Sequence, residues 1–581
     1  MAGGVPIAGQ SPHTDQGTHV LTTFIWILFG FIVIGLANAL WQMREHPKGL
    51  YILFFAEMWE RFSYYGMRAL LIFYLTKHFL FTDEQAYGIY GAYTTLVYIT
   101  PVIGGMIADR YLGQRKSILV GAILLVLGHA GMAIEGAPVT DPAFRDATVL
   151  NIFYLSLALI IAGTGFLKAN ISAIVGELYP KTDLRRDSAF TLFYVGINLG
   201  AAGGALIAGY VGETYGWSYG FGLAGIGMLA GLIVFVLGKP LLQGAGEPPN
   251  PAYLREKVGG LLSREWLIYL LSFAGIGVIW YLVRDEGTVG VTLLIAMTAV
   301  YGYILYRSVA TLPAHARNRI FAALFLITVQ VLFWALFEQA GSSLNIFTDR
   351  AVDRTILGQE QPASIFQSLN AIYIVFLGPL FALGWAWLAK RNMDPSTGAK
   401  FGLGVIQLGL GFLVLVWGAN AAGLGNLTPV FFICMIYLLH TTGELCLSPV
   451  GLSAMTRLST PNMVGLIMGA WFLASGAGNF VAAQIAKLTS SEEKLAGLNE
   501  EAALAETQRI VLDVYSTIGW VAVGVGVALI VVSPLIKRMM HLDTLEADMA
   551  DYHARMGTSD FTMDGDDMVG ERMSPTGTPK I

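Results

Sequence analysis

The chain has 581 residues, 55% hydrophobic and 13% charged, with 68 glycines, a formal net charge of -5 and a mean hydropathy of +0.61. That balance excludes a soluble globular protein, because a water-facing domain cannot bury so large an apolar share. A membrane β-barrel is excluded as well: it would alternate apolar and polar residues in short segments, whereas here apolar runs of about twenty residues, enough to cross ~30 Å of hydrocarbon as helices, recur along nearly the whole length.

Taken in chain order, the apolar runs predict about fifteen helical spans. Residues 1–43 form an extra N-terminal segment with one span over 20–41. Residues 1–42 carry no Lys or Arg, which argues against a secretory signal; a working start near Met43 is the alternative. Six spans over 50–238 belong to an N-terminal bundle, 44–240, and two more over 266–284 and 288–307 lie in a connector, 241–318. Six further spans over 320–536 form a C-terminal bundle, 319–540. Residues 541–581 turn polar and acidic and are expected to be a disordered cytoplasmic tail.

Lys and Arg concentrate in alternate loops, which sets orientation. Arg44 and Lys48, Arg110, Arg115 and Lys116, Arg255, Lys257 and Arg264, and Lys537 with Arg538 are placed inside. Asp83 and Glu84, Glu213, Asp349 and Asp353, and an acidic loop from Glu492 to Glu506 fall outside. The only cysteines, Cys434 and Cys446, lie in one apolar segment and are read as packing residues. The nine histidines show no metal-ligand spacing, and no phosphate-cradling loop suits an ATP-driven pump. An ion gradient is the simplest remaining energy source. Neither a catalytic constellation nor a nucleic-acid site is seen, so an enzyme is not expected, nor any cofactor or metal.

Glu57, Glu60 and Arg61 interrupt the apolar stretch Leu53 to Leu75. Charges at such depth are expensive and usually mark a pathway or site. At ~100° per residue, Glu57, Glu60, Arg61, Tyr64, Tyr65 and Arg68 fall within an arc of roughly 140°, one polar stripe facing inward. A structural ion pair locking two helices is the competing reading. Counting Glu338, Glu444 and Lys168 as well gives four buried acids against three bases, which must pair or face water; the surplus carboxylate is a place for a proton. Two six-span blocks suggest paired halves around a site that opens alternately to either side.

Gly104-Gly105-Met106-Ile107-Ala108-Asp109-Arg110-Tyr111-Leu112-Gly113-Gln114-Arg115-Lys116 resembles the loop signature of the major facilitator superfamily. Glu57-Met58-Trp59-Glu60-Arg61-Phe62-Ser63-Tyr64-Tyr65-Gly66 resembles the E-x-x-E-R-F-x-Y-Y-G motif of proton-dependent oligopeptide transporters, bacterial type. The segments Phe193 to Gly200, Phe333 to Ser343 and Gly443 to Leu452 resemble that family's fifth-, seventh- and tenth-helix signatures, in family order. Two departures are Ala201, where a serine is usual, and Gly91, where animal members carry a functional histidine.

The resemblance implies an all-α polytopic membrane protein of the major facilitator fold: two six-helix bundles, two extra helices between them and one extra N-terminal helix. It implies a proton symporter importing di- and tripeptides, working as a monomer in the bacterial inner membrane, with the proton as coupling ion. A same-fold carrier of nitrate or an amino-acid conjugate is the alternative, and a non-transporting peptide sensor a remoter one. For a zwitterionic peptide, Arg68 and Lys168 are candidates for the carboxylate, Glu444 for the ammonium, and Asn198 and Asn370 for termini or amides. Tyr64, Tyr65, Tyr98, Trp334, Trp471, Phe472 and Ser475 would line side-chain pockets. Proton coupling is expected of Glu57, Glu60, Arg61, Lys168 and Glu338, with Arg68–Glu338 closing one gate and Asp109 and Arg110 belonging to the other.

Overall fold

The computed structural model describes residues 23–180, 183, 185–490, 495 and 497–545. Within them lie fifteen long helices. They are α1 (Thr23–Gln42), α2 (Lys48–Phe73), α3 (Asp83–Ile107), α4 (Gln114–Met132), α5 (Ala147–Glu177), α6 (Arg185–Gly203) and α7 (Trp217–Leu237). The connector holds α8 (Arg264–Arg284) and α9 (Glu286–Thr311). The remainder are α10 (Ala314–Phe337), α11 (Ser368–Lys390), α12 (Thr397–Ala422), α13 (Val430–Leu458), α14 (Val464–Lys487) and α15 (Glu500–Met539). Fourteen of the long helical stretches are apolar enough to cross a membrane. The exception is α2, whose 26 residues suffice in length but include the charged stripe.

Local chemistry starts the helices where polar loops meet apolar runs. Thr82 caps α3 in a reciprocal box with Gln85, Asp146 accepts from Thr148 and Val149 at the head of α5, and Ser396 accepts from Ala399 at the head of α12. The acidic segment Glu492 to Glu506 is not all loop: α15 begins at Glu500. Asn499 caps it, and Glu500 and Glu501 occupy its first turn, where the helix dipole favours negative charge. The expected tail from 541 starts as a short turn over Leu542–Thr544, and 546–581 lie outside the described residues, as do 20–22 of the first span.

Two large hydrophobic clusters organise the packing. One is drawn mainly from residues between Leu50 and Leu242, the other mainly from residues between Ile320 and Met540. The two sets of helices meet along two seams, α3 against α14 and α6 against α11. Connector helix α8 packs on α5 and α3, and α9 on α14, α3 and α10, beside the first seam. Helix α1 packs on α6 and sets Phe31 edge-on to Phe376 of α11 at 5.1 Å, beside the second.

Gly91 sits in the close contact between α3 and α14. A Cβ there would collide with that of Ala483 and lie against the Asn479 carbonyl. The missing histidine thus has no room as well as no codon: close helix packing through small residues occupies its place.

Candidate functional site

The stripe on α2 is buried, and its i, i+4 spacing lets its charges satisfy one another. Arg61 Nε donates to Glu57 Oε1 at 2.7 Å and lies 2.9 Å from Glu60 Oε2. Only the first contact has hydrogen-bond geometry; neither Glu60 oxygen has a hydrogen-bond partner among the described residues. Two carboxylates therefore share one guanidinium, leaving a buried triad with one negative charge to spare.

One turn further, Tyr64 and Tyr65 meet edge to face at 5.1 Å, and Tyr64 stacks towards Tyr93 at 6.5 Å. The next turn presents Arg68, whose Nε donates to Tyr90 Oη at 2.7 Å and whose Nη2 pairs with Glu338. Glu338 does not ride within α10 but in the 3₁₀ turn Glu338–Gly341 that ends it. Gly341 permits this meeting, because a Cβ there would run into the Tyr90 hydroxyl and the Arg68 side chain. Arg68 and Glu338, 270 residues apart, thereby join the two halves.

Lys168 on α5 makes no ion pair among the described residues, although it lies within electrostatic reach of Glu57, Glu60 and Arg61. Arg61 reaches both glutamates from their own helix, and the Lys168 ammonium settles 4.3 Å above the Tyr98 ring, a favourable place for a partly desolvated cation. Glu444 on α13 is half-buried and likewise has no basic partner among the described residues; it accepts from Asn370 Nδ2 at 3.0 Å. The same amide nitrogen donates to Thr441 Oγ1 at 3.0 Å, so Asn370 ties α11 to α13 and aims the carboxylate.

Asn198 donates to the Tyr194 carbonyl at 3.0 Å. Trp471 is buried on Gly451, Trp334 is half-buried, and Ser475 donates to the Trp471 carbonyl at 3.1 Å. Phe472, 39% exposed, lies on the α14 stripe that continues through Gly476, which packs against Thr95 and Tyr98 of α3. Sequence reasoning missed Gln330, which accepts from Trp334 Nε1 at 3.3 Å and donates to the Trp471 carbonyl at 2.7 Å, coupling the two tryptophans. An amide inside the apolar α10 was the available signal. It also missed Tyr194, 48% exposed beside Asn198.

At the end of the bundle reached by α2's last turns, ion pairs cross between the halves. Arg350 holds Asp83 through two contacts of 2.6 and 2.8 Å, and Lys77 holds Asp349 at 2.9 Å. Asp83 and Asp349, read from sequence as topology markers, belong to this closure. At the other end Asp109 accepts from Gln114 Nε2 at 3.0 Å, and Asp109 and Arg110 are exposed. Neither makes an ion pair with the other half among the described residues.

Comparison with known proteins follows the same line. The sequence profile of the POT family matches residues 115–504. The chain is 36% identical to the peptide transporter YePEPT of Yersinia enterocolitica over 465 residues, 76% of this chain and 87% of that one. It is 31% identical to dipeptide and tripeptide permease B, also of Yersinia enterocolitica, over 87% of this chain and 98% of the permease. A crystal structure of a peptide transporter POT in complex with alafosfalin superposes with a TM-score of 0.71 at 33% identity, covering 85% of this chain and 96% of that one. With its apolar helices, paired bundles and matching profile, this chain is an integral membrane protein of the POT family.

Proposed function

We propose that the protein is a proton-coupled symporter that imports di- and tripeptides by alternating access. One observation carries this reading. Of the seven charges on the α2 stripe and its surroundings, five are paired with one another, and the two left without a counter-ion among the described residues are one cation, Lys168, and one anion, Glu444. A zwitterionic peptide offers the complement of both, its carboxylate to Lys168 and its ammonium to Glu444. The names of the relatives, a peptide transporter and a dipeptide and tripeptide permease, support the same substrate class. A simple anion such as nitrate would leave Glu444 without a task.

The closed end is held by Arg68 and Glu338. Protonation of Glu338 removes the attraction, frees Arg68 for the peptide carboxylate and lets that end open. The Glu57–Arg61–Glu60 triad holds a spare negative charge that a second proton neutralises, and a peptide carboxylate arriving at Lys168 alters the same local field, which links peptide and proton binding. Tyr64, Tyr65, Tyr98, Trp334, Trp471 and Phe472 supply apolar and aromatic walls that tolerate varied side chains. Asp109 and Arg110 lie at the opposite gate. All these groups come from one chain, so a monomer suffices, placed in the bacterial inner membrane with its C-terminus cytoplasmic.

The test is uptake into purified proteoliposomes under an imposed pH gradient, comparing di- and tripeptides, free amino acids and nitrate. Peptide accumulation only when the outside is acidic is the expected result; accumulation of nitrate or amino acids instead overturns the substrate assignment. Full proton-driven accumulation by both Lys168→Ala and Glu338→Gln would reject the coupling roles.

A further inference from the structure

We propose that the β-hairpin leading into α8 is a lipid-docking finger that seats on the anionic headgroups of the surrounding bilayer. The hairpin pairs Lys257–Val258 with Leu262–Ser263 in antiparallel register, and Gly259 and Gly260, both at positive φ, turn the chain between them. Its apolar side chains are left exposed: Leu261 at the tip is 86% exposed, and Val258 and Leu262 nearly half. Exposed apolar residues on a membrane-spanning helix face lipid and need no explanation, but these lie outside the spans.

Position supplies the occupant. Ser263 caps α8, which begins at Arg264 and runs 21 residues, about 30 Å at 1.5 Å per residue, just the thickness of the hydrocarbon layer. The head of α8 therefore stands at the membrane boundary, and the hairpin is continuous with it. Trp266, 65% exposed in the first turn of α8, occupies the depth where tryptophans gather. Charge agrees with position. Glu247 pairs with Arg115, Glu265 with Lys116 and Glu256 with Arg264, whereas Arg255 and Lys257 have no carboxylate partner among the described residues. Two unpaired cations flanking an apolar tip at the boundary fit a surface of phosphate headgroups over acyl chains.

A second hairpin provides the contrast. Leu357, 68% exposed, tips the turn between Thr355–Ile356 and Gln359–Glu360. That turn carries Asp353 and Glu360 and follows a helical stretch of 38 residues, longer than a bilayer requires. The segment that leads into the finger grips the gate loop of its own half: the Gly246 carbonyl accepts from Arg115 N at 2.9 Å, and Tyr253 stacks on Tyr111 at 6.3 Å.

The experiment uses the full chain with Cys434→Ala and Cys446→Ala, carrying an environment-sensitive fluorophore on Leu261→Cys or, as control, on Leu357→Cys. Each is reconstituted in phosphatidylcholine or in its equimolar mixture with phosphatidylglycerol. The expected result is quenching of the Leu261→Cys probe by brominated acyl chains, with aqueous iodide quenching it about threefold less than the control. Protection should be stronger in the phosphatidylglycerol mixture, and Arg255→Gln with Lys257→Gln should abolish that difference. A probe equally open to iodide at both positions overturns the finger. Protection that is the same in both lipids, or insensitive to the double substitution, overturns its anionic preference. Neither readout depends on transport, so failure of the finger and failure of the transport reading are distinguishable.

Discussion

Glu444 owes its availability to what its neighbours are: Asn370 orients it without neutralising it, and Arg68, the stripe cation that reaches across the halves, is already held by Glu338. Glu444→Gln preserves shape and removes charge. Because a hydrogen bond to a charged group contributes about 1.5–3 kcal/mol, dialanine affinity should fall roughly 10- to 100-fold, while an N-acetylated dipeptide loses little. Ligand-induced thermal stabilisation of the purified protein measures both. Equal losses for the two peptides would remove the ammonium assignment. His46 is a second residue with a readable consequence. Outside the spans, its ring Nδ1 lies 2.8 Å from Tyr179 Oη, and partial burial together with the nearby Arg185 guanidinium holds its pKa below the usual 6.5. Such a group stabilises the fold fully above the unfolded-state value, and that contribution is lost as pH falls below about 6.5 towards the depressed folded value. Protection factors of the amides at 43–46, corrected for the intrinsic pH dependence of exchange, should fall on acidification through that window, and His46→Gln should flatten the dependence.

At the scale of elements, helix packing decides which side chains fit. The α3–α14 seam closes on Gly91 and Ala483, so Gly91→His overpacks it. Overpacking costs about 1–3 kcal/mol, which predicts a lower unfolding temperature in detergent, with partial recovery in Gly91→His, Ala483→Gly. No recovery would mean that the glycine is needed for something other than proximity to that methyl. The α2 stripe shows the reverse dependence. Its i, i+3 and i+4 spacing was legible in the sequence, because the geometry of a single helix fixes which of its residues share a face. The surroundings of Lys168 were not legible in the same way: whether it paired directly with the glutamates or sat over Tyr98 depended on how α5 packs beside α2 and α3, which local spacing does not encode. Gln330 went unnoticed for a related reason, since its link between Trp334 and Trp471 exists only when α10 and α14 are in contact.

For the whole molecule, the cross-half ion pairs gather at one end, and the other carries none among the described residues. Asp83 is almost fully buried while Arg350 remains partly accessible, so Asp83→Asn weakens the bridge without leaving a buried lone cation. A cysteine at Ala86, buried at the head of α3, should then react severalfold faster with a water-soluble maleimide in a background lacking Cys434 and Cys446. Asp83→Arg combined with Arg350→Asp should restore protection. Unchanged reactivity in Asp83→Asn would show that Arg68 and Glu338 alone keep this end shut.

Sequence by itself determined the helical, membrane-spanning class and the polar stripe of α2, because hydrocarbon thickness and helical periodicity are local constraints that each segment must meet alone. Tertiary structure decided the partners. Arg68 finds Glu338 and Asp83 finds Arg350 through contacts between residues far apart in the chain, and Lys168 and Glu444 remain without counter-ions among the described residues. Buried charge must be compensated, but only the packed bundles determine which group compensates which.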